Sequence, residues 1–177
     1  MNSAFTIQVT TDLAAEPVTV QEAKDYLRIN NNVEDTLIGE LITSARQRLE
    51  GFTGRSFGAK TIKVRFEYVD GWVELPYSPI TSITSVENDA GDTLTYESKG
   101  LEVKEVFCNA NNGVIITYVA GYTTLPKALK EAILKEVSTS YENRENYVIG
   151  ESVNGLSNGA KQLAQRFSRN TLLGLGF

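Results

Sequence analysis

Few side chains in this chain of 177 residues have the type and spacing that catalysis requires. Histidine is absent, and Cys108 is the single cysteine. The composition therefore excludes His-containing catalytic triads, zinc sites with histidine ligands and an intrachain disulfide. The sequence places no base beside Cys108 to activate it, so we interpret it as a small apolar side chain that fills space.

Carboxylate pairs are the remaining candidates for chemistry. Glu34 with Asp35, and Glu142 with Glu145, could bind a cation or exchange protons, but on helix surfaces such groups are commonly solvated or paired with a basic side chain. The glycine-rich stretch 51–58 resembles a phosphate-binding loop, yet it lacks the Gly-Lys-Ser/Thr ending and follows a helix instead of a strand. We therefore expect no catalytic residue, no metal site and no cofactor.

The distribution of charge bears on nucleic-acid binding. The net charge is −5 at pH 7, and the segment 157–177 holds Lys161, Arg166 and Arg169 but no acidic residue. The acidic remainder is poorly suited to gripping phosphates, because affinity for nucleic acids comes mainly from Lys and Arg. Trp72 and the tyrosines are not interleaved with basic residues, so we interpret them as packing residues. Such a surface would let DNA pass without holding it.

Features of membrane proteins are missing from the sequence. No run of about 18 apolar residues is present, and the N-terminal residues lack the basic start and apolar stretch of a signal peptide. We expect the protein to be made in the cytoplasm and not to bind a membrane.

Three helices are predicted from apolar residues spaced three and four apart. The first, at about 19–28, begins at a capping box formed by Thr19 and Glu22. The second lies at about 33–53 and the third at about 126–144. The second and third helices are expected to pack together through Leu37, Leu41, Leu49, Leu129, Ile133, Val137 and Tyr141.

The polar face of the second helix carries Glu40, Arg46, Arg48 and Glu50. Charged residues opposite an apolar stripe commonly face water, so we interpret these four side chains as solvated. Contact with a neighbouring copy of the same protein is the alternative.

A period of two replaces the helical period from residue 60 onward. It predicts an antiparallel β unit over about 60–119, inserted between the second and third helices. Phe5, Ile7 and Val9 alternate in the same way and indicate a short strand near the N-terminus. Within the β unit, strands are expected at 83–87 and 93–97, which form a hairpin, and at 101–106 and 113–119.

The chain changes character after residue 147. A connection rich in glycine, serine and asparagine precedes an amphipathic segment, Ala160 to Arg169, and an apolar end. The segment could fold back on the body, dock onto another subunit or a different protein, or lie on a membrane surface, which its few basic residues disfavour. We expect docking to involve Leu163, Arg166, Phe167, Arg169, Leu172, Leu173, Leu175 and Phe177.

The predicted fold class is α+β, with a small helical bundle core, an inserted antiparallel β unit and an extended C-terminal helical arm. The length suffices for one domain with a substantial core and an appendage. We expect residues 1–147 to form this domain and residues 148–177 to form a flexible linker with the docking arm.

Four segments resemble the tailed-phage head-tail connector, or adaptor, proteins, and they occur in the family's order across roughly residues 17–147. They are PVTVQEAKDYLRI at 17–29, DTLIGELITSARQRLEGFTGRSF at 35–57, VELPYSPITSITSVENDAGDTLTYE at 73–97 and ITYVAGYTTLPKALKEAILKEVSTSYENRE at 116–145. The most specific motifs are the helix ending in Phe-Thr-Gly-Arg, the Leu-Pro-x-x-Pro turn, and Ala-Gly-Tyr followed by a proline and the helix that ends in Tyr-Glu-Asn-Arg-Glu.

The resemblance implies a structural virion protein without catalytic activity. It implies a ring of about twelve copies beneath the portal, which extends the DNA channel and provides a tail attachment site. The implied partners are further copies of the chain, the portal protein, a tail-completion or tail-terminator protein, and double-stranded DNA that passes without specific binding. In that setting Leu163 to Phe177 would reach the portal or an adjacent subunit, and the acidic body would repel the passing DNA.

Two functions of other classes are kept as alternatives. A DNA-packaging or nucleic-acid-binding component of a phage predicts salt-dependent affinity for DNA, which the charge balance disfavours. An enzyme with a carboxylate-only metal site predicts that a divalent cation raises the thermal stability. Neither alternative has a motif in the sequence.

Overall fold

The computed structural model describes residues 5–69, 71–108, 113–143 and 155–168. The chain divides into two compact units. The β unit consists of Met1–Ala14 and Arg55–Thr123, and the helical unit consists of Ala15–Gly54 and Thr124–Phe177. The α+β class is confirmed. Each unit consists of two separate stretches of the chain, and the boundaries between the units do not fall at residue 147, where the sequence predicted the end of the main domain.

The helical unit contains four described helices: α1 Val20–Leu27, α2 Asp35–Thr53, α3 Lys127–Glu142 and α4 Asn158–Gln165. α1 begins at the capping box, in which the Thr19 hydroxyl accepts the Glu22 N–H and the Glu22 carboxylate accepts the Thr19 N–H. α2 ends at Gly54 in the left-handed conformation. α1, α2 and α3 lie close to the ranges that the apolar periodicity predicts.

The helices of this unit pack around α2 and α3, which contact each other and both α1 and α4. Burial contributes roughly 1.5–3 kcal/mol for each large apolar side chain, before conformational entropy is counted. The buried stripe of α2 is centred on Ile38, Ile42 and Ala45. Of the residues predicted to form the core, Leu49, Leu129, Ile133 and Val137 are buried, and Leu37, Leu41 and Tyr141 are partly buried.

The described β unit contains seven strands: β1 Phe5–Thr11, β2 Lys60–Phe66, β3 Trp72–Glu74, β4 Ile80–Asn88, β5 Tyr96–Lys99, β6 Glu105–Cys108 and β7 Val114–Ala120. The larger sheet has the order β1-β2-β7-β4 and the smaller sheet β3-β6-β5, and every pair is antiparallel. β2 and β7 form the centre of the larger sheet and alternate between buried and partly buried residues. β1, from the N-terminal stretch, adds an edge strand to the predicted insertion.

The segment after β4 differs from the predicted hairpin. The turn at residues 88–92 forms, and the chain returns along β4 through a bridge between Glu87 and Thr93 and a hydrogen bond from the Leu94 N–H to the Val86 carbonyl oxygen. β5 then pairs with β6 instead of β4. The predicted partner is wrong because the turn determines only the first residues of the return, whereas β6 competes for the rest.

The strand predicted at 101–106 begins later, at Glu105. Gly100 has a φ of 97°, which turns the chain directly after β5. Leu101 follows on the loop and is 90% exposed. Leu101 therefore lies in a loop, and its apolar side chain does not contribute to the core.

The core of the β unit takes residues from both sheets. The Tyr118 hydroxyl, buried in this core, donates a hydrogen bond to the Pro76 carbonyl oxygen at 2.8 Å. Burial raises the pKa of the Cys108 thiol, so the thiol stays protonated and serves as a packing group. The core residues are Ile62, Val64, Phe66, Val69, Leu75, Ile80, Val86, Val106, Cys108, Val114, Ile116, Tyr118 and Ala120.

Candidate interaction surfaces

Three motifs that stand far apart in the sequence meet at one place in the β unit. Arg55, which follows the end of α2, forms a short β-bridge with Ser78 of the Leu-Pro-x-x-Pro turn. Gly121, of the Ala-Gly-Tyr motif, donates its N–H to the Pro79 carbonyl oxygen at 2.7 Å. These contacts hold the three chain segments together, so Arg55, Ser78, Pro79 and Gly121 help to pack the β unit.

Arg55 is the buried charge of this junction. Its Nη1 donates to Glu102 Oε2 at 3.1 Å and to the Tyr122 hydroxyl oxygen at 3.0 Å, and its guanidinium carbon lies 6.0 Å from the Tyr122 ring centre. Burial raises the pKa of Tyr122, which keeps the hydroxyl neutral. The charge of Arg55 is thus used to hold loop residues within the unit.

A buried charge network lies in the helical unit where the sequence predicted solvated side chains. Arg46 is 1% exposed and Glu50 is 3% exposed. Arg46 Nη1 donates to Glu50 at 2.9 Å, and its Nε and Nη2 donate to the two oxygens of Glu16 at 2.7 and 3.0 Å. The Thr43 hydroxyl also donates to Glu16, at 2.9 Å. The predicted solvation is wrong for Arg46 and Glu50, because the segment before α1 brings Glu16 onto this face of α2.

One local signal for this network was present in the sequence. Arg46 and Glu50 have the i, i+4 spacing that favours an ion pair on a helix. Glu16 is 30 residues from Arg46 along the chain. No periodic pattern connects residues at that distance, so the third member of the network could not be predicted.

A second network joins α2, α3 and the start of α4. Arg48 donates to Glu136, which is buried, and to the Ser140 hydroxyl at 3.0 Å. The other carboxylate oxygen of Glu136 accepts the Ser157 N–H at 2.9 Å. Ser157 is also the N-cap of α4. The buried carboxylate thereby holds the first turn of α4 against α3.

The described part of the predicted arm packs within the helical unit. α4 contacts α2 and α3, and it buries Ala160 and Ala164, whose small side chains allow close approach. Residues 155–168 therefore fold back on the body of the protein, which is one of the alternatives that the sequence left open. Contact of the arm with a partner stays a prediction. Of the predicted interface residues, Leu163 and Phe167 are partly buried, Arg166 is exposed, and Arg169, Leu172, Leu173, Leu175 and Phe177 lie outside the described residues.

The described carboxylates of the pairs considered for chemistry have structural partners. Glu34 accepts a hydrogen bond from the Tyr141 hydroxyl, and Asp35 forms an ion pair with Lys24 at 2.8 Å. Glu145 lies outside the described residues. Among the residues that the structure describes, no group of His, Cys, Asp and Glu is placed to hold a metal ion. None of the helices in the same residues combines the length and apolarity needed to cross a bilayer.

An ion pair between Glu22 and Lys130 joins α1 to α3 and links the stability of the helical unit to pH. The hydrogen bond from Lys130, and after it that from the Thr19 N–H, lowers the pKa of Glu22 from its ordinary value of 4.5. A carboxyl group whose pKa is lower in the folded state stabilises the fold above its unfolded pKa. That stabilisation is lost as pH falls through the folded pKa.

Glu22→Gln should therefore flatten the acid side of the stability profile, below the ordinary carboxyl pKa of 4.5. The expected effect is below about 1 kcal/mol, because both side chains of the pair are partly exposed. Urea unfolding at a series of acidic pH values measures it, with Glu40→Gln at an exposed position of α2 as the control. Equal pH dependence in wild type and Glu22→Gln would contradict the prediction.

The smaller sheet carries an exposed aromatic pair. Trp72 of β3 lies opposite Phe107 of β6, and their ring centres are 5.7 Å apart. Lys99 Nζ lies 4.1 Å from the centre of the Trp72 ring and forms an ion pair with Glu105 at 2.8 Å. The ring of Trp72 packs against its neighbours in the sheet while part of it faces outward.

Solved structures with the same fold come from gene transfer agent (GTA) particles. A chain in the neck of the empty particle, computed with C6 symmetry, is 18% identical, has a TM-score of 0.76 and covers 92% of this chain and 95% of that chain. A chain in the virion of the native particle is 17% identical, with a TM-score of 0.72 and coverage of 92% and 95%. A chain in the neck of the native particle, computed with C12 symmetry, is 15% identical, with a TM-score of 0.72 and coverage of 92% and 94%. The chain therefore has a fold that is found in particle necks.

The sequence profile of the family described as phage gp6-like head-tail connector protein matches residues 17–169. No curated protein gives a significant match to the sequence. Because the profile covers well over half of the chain, the chain belongs to the phage gp6-like head-tail connector family. It is accordingly a structural protein of the virion, at the junction between head and tail.

Proposed function

We propose that copies of this chain form a ring beneath the portal, where the ring extends the DNA channel and presents its distal face to a tail-completion or tail-terminator protein. The observation that carries the proposal is the family match, which includes residues of both compact units. The similar neck structure with C12 symmetry supports a ring of about twelve copies.

The chemistry of the described residues supports a structural role. The buried guanidinium groups of Arg46 and Arg55 are paired with carboxylates of their own unit, so they position backbone segments instead of binding a ligand. The family is one of structural connectors and not a class of enzymes. We assign no catalytic step to the chain.

Double-stranded DNA would pass through the ring without specific binding. The net charge of −5 at pH 7 supports this, because the neutralisation of phosphates by Lys and Arg supplies most of the affinity for DNA. A channel wall with an excess of carboxylates repels the phosphate backbone and keeps the DNA mobile.

The test is the mass of the assembly. Native mass spectrometry or light scattering compares the purified chain, a portal ring and their mixture. We expect the portal to gain about twelve copies of the chain, in line with the twelvefold neck of the similar structure. An unchanged portal mass at saturating chain concentration would contradict the proposal.

A truncated chain tests the docking role of the C-terminal residues in the same assay. The deletion removes only residues 169–177. A longer deletion, of residues 157–177, would also remove α4 and uncover the faces of α2 and α3 that α4 contacts. We expect this chain to keep its circular dichroism spectrum and melting temperature and to lose assembly on the portal. Assembly equal to that of the full chain would contradict the docking role.

A further inference from the structure

β1 forms one edge of the larger sheet, and among the described residues it pairs with β2 alone. The opposite edge, β4, is partly covered. The Leu94 N–H donates to the Val86 carbonyl oxygen, and the Ile80 N–H donates to the Glu102 carbonyl oxygen. A strand edge whose outward backbone groups face no other strand is a template for pairing with another segment.

β1 lacks the residues that usually keep an edge strand from pairing. Its sequence, FTIQVTT, contains no charged residue, no proline and no glycine, and all seven residues are exposed. Natural sheets protect such edges with charges, prolines or bulges. The irregularity in the register of β1 falls near the end of the strand, between Val9 and Thr11. An edge of this composition is expected to be covered by a further strand.

The apolar residues of β1 extend the core face of the larger sheet. Phe5, Ile7 and Val9 lie opposite apolar residues of β2 that are all buried. The three β1 residues are themselves 48%, 37% and 46% exposed. A segment that pairs with β1 and carries apolar side chains on the same face would shield this stripe from water.

The last residues of the chain have the matching pattern. Leu173, Leu175 and Phe177 alternate with Gly174 and Gly176. Successive side chains of an extended segment point to opposite sides, so Leu173, Leu175 and Phe177 would share one face, and Leu172 would lie with the two glycines on the other. The predicted interface residues at the C-terminus thus have the period of a strand.

The segment 171–177 is as long as β1 and carries no charged side chain. Glycine disfavours a free-standing strand, so the segment would become extended where an edge supplies its hydrogen bonds. We propose that residues 171–177 of one copy add as a strand to β1 of a neighbouring copy, with the alternating apolar residues of the two strands on the same face.

The choice of a neighbouring copy rests on the proposed ring. In a ring every copy has a neighbour on each side, so it can donate its C-terminal segment in one direction and accept a segment on β1 from the other. Donors and acceptors are then equal in number, and each β1 edge is covered. Main-chain hydrogen bonds would supply affinity, and the alternating apolar contacts would set the register.

Two full-length variants separate the donor from the acceptor. Leu175→Asp places a charge on the donated segment, and Ile7→Asp places one on the accepting strand. Leu101→Asp is the control, at an exposed loop position of the β unit. We expect each of the first two variants to self-associate at least about tenfold more weakly than wild type in sedimentation or native mass spectrometry. The control should associate like wild type.

A mixture of the two variants tests the exchange directly. The Ile7→Asp chain keeps its donor segment and the Leu175→Asp chain keeps its accepting strand, so the mixture should form 1:1 pairs that neither variant forms alone. The β1 amides of the Leu175→Asp chain should exchange with deuterium more slowly in the mixture than in a sample of the Leu175→Asp chain alone. Circular dichroism and melting of each variant establish that the chains are folded.

The proposal would be overturned if either variant self-associated as strongly as wild type. It would also be overturned if the mixture of the two variants formed no pairs. Slower β1 exchange in wild-type monomers than in Leu175→Asp monomers would place the segment on β1 of its own chain, which also overturns exchange between copies. A different result is expected if strand exchange occurs but the chain does not assemble on the portal. The variants would pair as described, but the wild-type chain would leave the mass of the portal unchanged.

Discussion

Arg46→Ala should lower the free energy of unfolding of the helical unit by about 3–5 kcal/mol, the usual cost of removing one partner from a buried ion pair. The variant takes the guanidinium away from Glu50 and from both carboxylate oxygens of Glu16. Glu50 is nearly inaccessible to water, so its unpaired charge would be solvated only if the packing around α2 opened.

Urea unfolding can resolve this effect because the two units have different probes. Trp72 is the single tryptophan and belongs to the β unit, whereas far-ultraviolet circular dichroism reports mainly on the helices. The dichroism transition of Arg46→Ala should move to lower urea by more than the tryptophan transition. Gln47→Ala, at an exposed position of the same helix, should stay within about 0.5 kcal/mol of wild type. A similarly small change in Arg46→Ala would show that the network does not stabilise the unit.

Gly121→Ala should destabilise the β unit by roughly 3 kcal/mol or more, since it combines backbone strain with overpacking. Gly121 has a φ of 134°, a conformation that residues with a Cβ rarely adopt. An added Cβ would press against the carbonyl group of Gly58 and lie 2.7 Å from the Ala59 nitrogen. Both neighbours are backbone atoms, so they cannot move aside by changing a rotamer. The strain falls at the junction where the three motifs meet.

Gly51→Ala is the matched control for this substitution. Gly51 lies within α2, and an added Cβ there meets nothing within 4 Å. The same chemical change should stabilise the helical unit by roughly 0.5–1 kcal/mol, because alanine favours the helix over glycine. Tryptophan fluorescence should follow the loss in Gly121→Ala, and circular dichroism the gain in Gly51→Ala. A Gly121→Ala protein as stable as wild type would contradict the close packing at this junction.

The sequence was sufficient to predict the local elements of this protein and its family. Capping at Thr19 and Glu22, and apolar residues at helical spacing, act over a few residues, so α1, α2 and α3 could be located without knowledge of their partners. The period of two located β2 and β7 for the same reason. The order of the motifs along the chain predicted the head-tail connector family, which the match over residues 17–169 confirms.

Only the tertiary structure decided which of these elements and charges pair. Arg46 and Glu50 are on a helix face that looks solvated, and they are buried because Glu16, far away in the sequence, lies against them. β5 pairs with β6 and β1 joins β2 through contacts that no local pattern specifies. The pairing of a strand or the burial of a charge depends on contacts between residues remote in sequence, whereas helical and strand periods arise from the local geometry of the backbone.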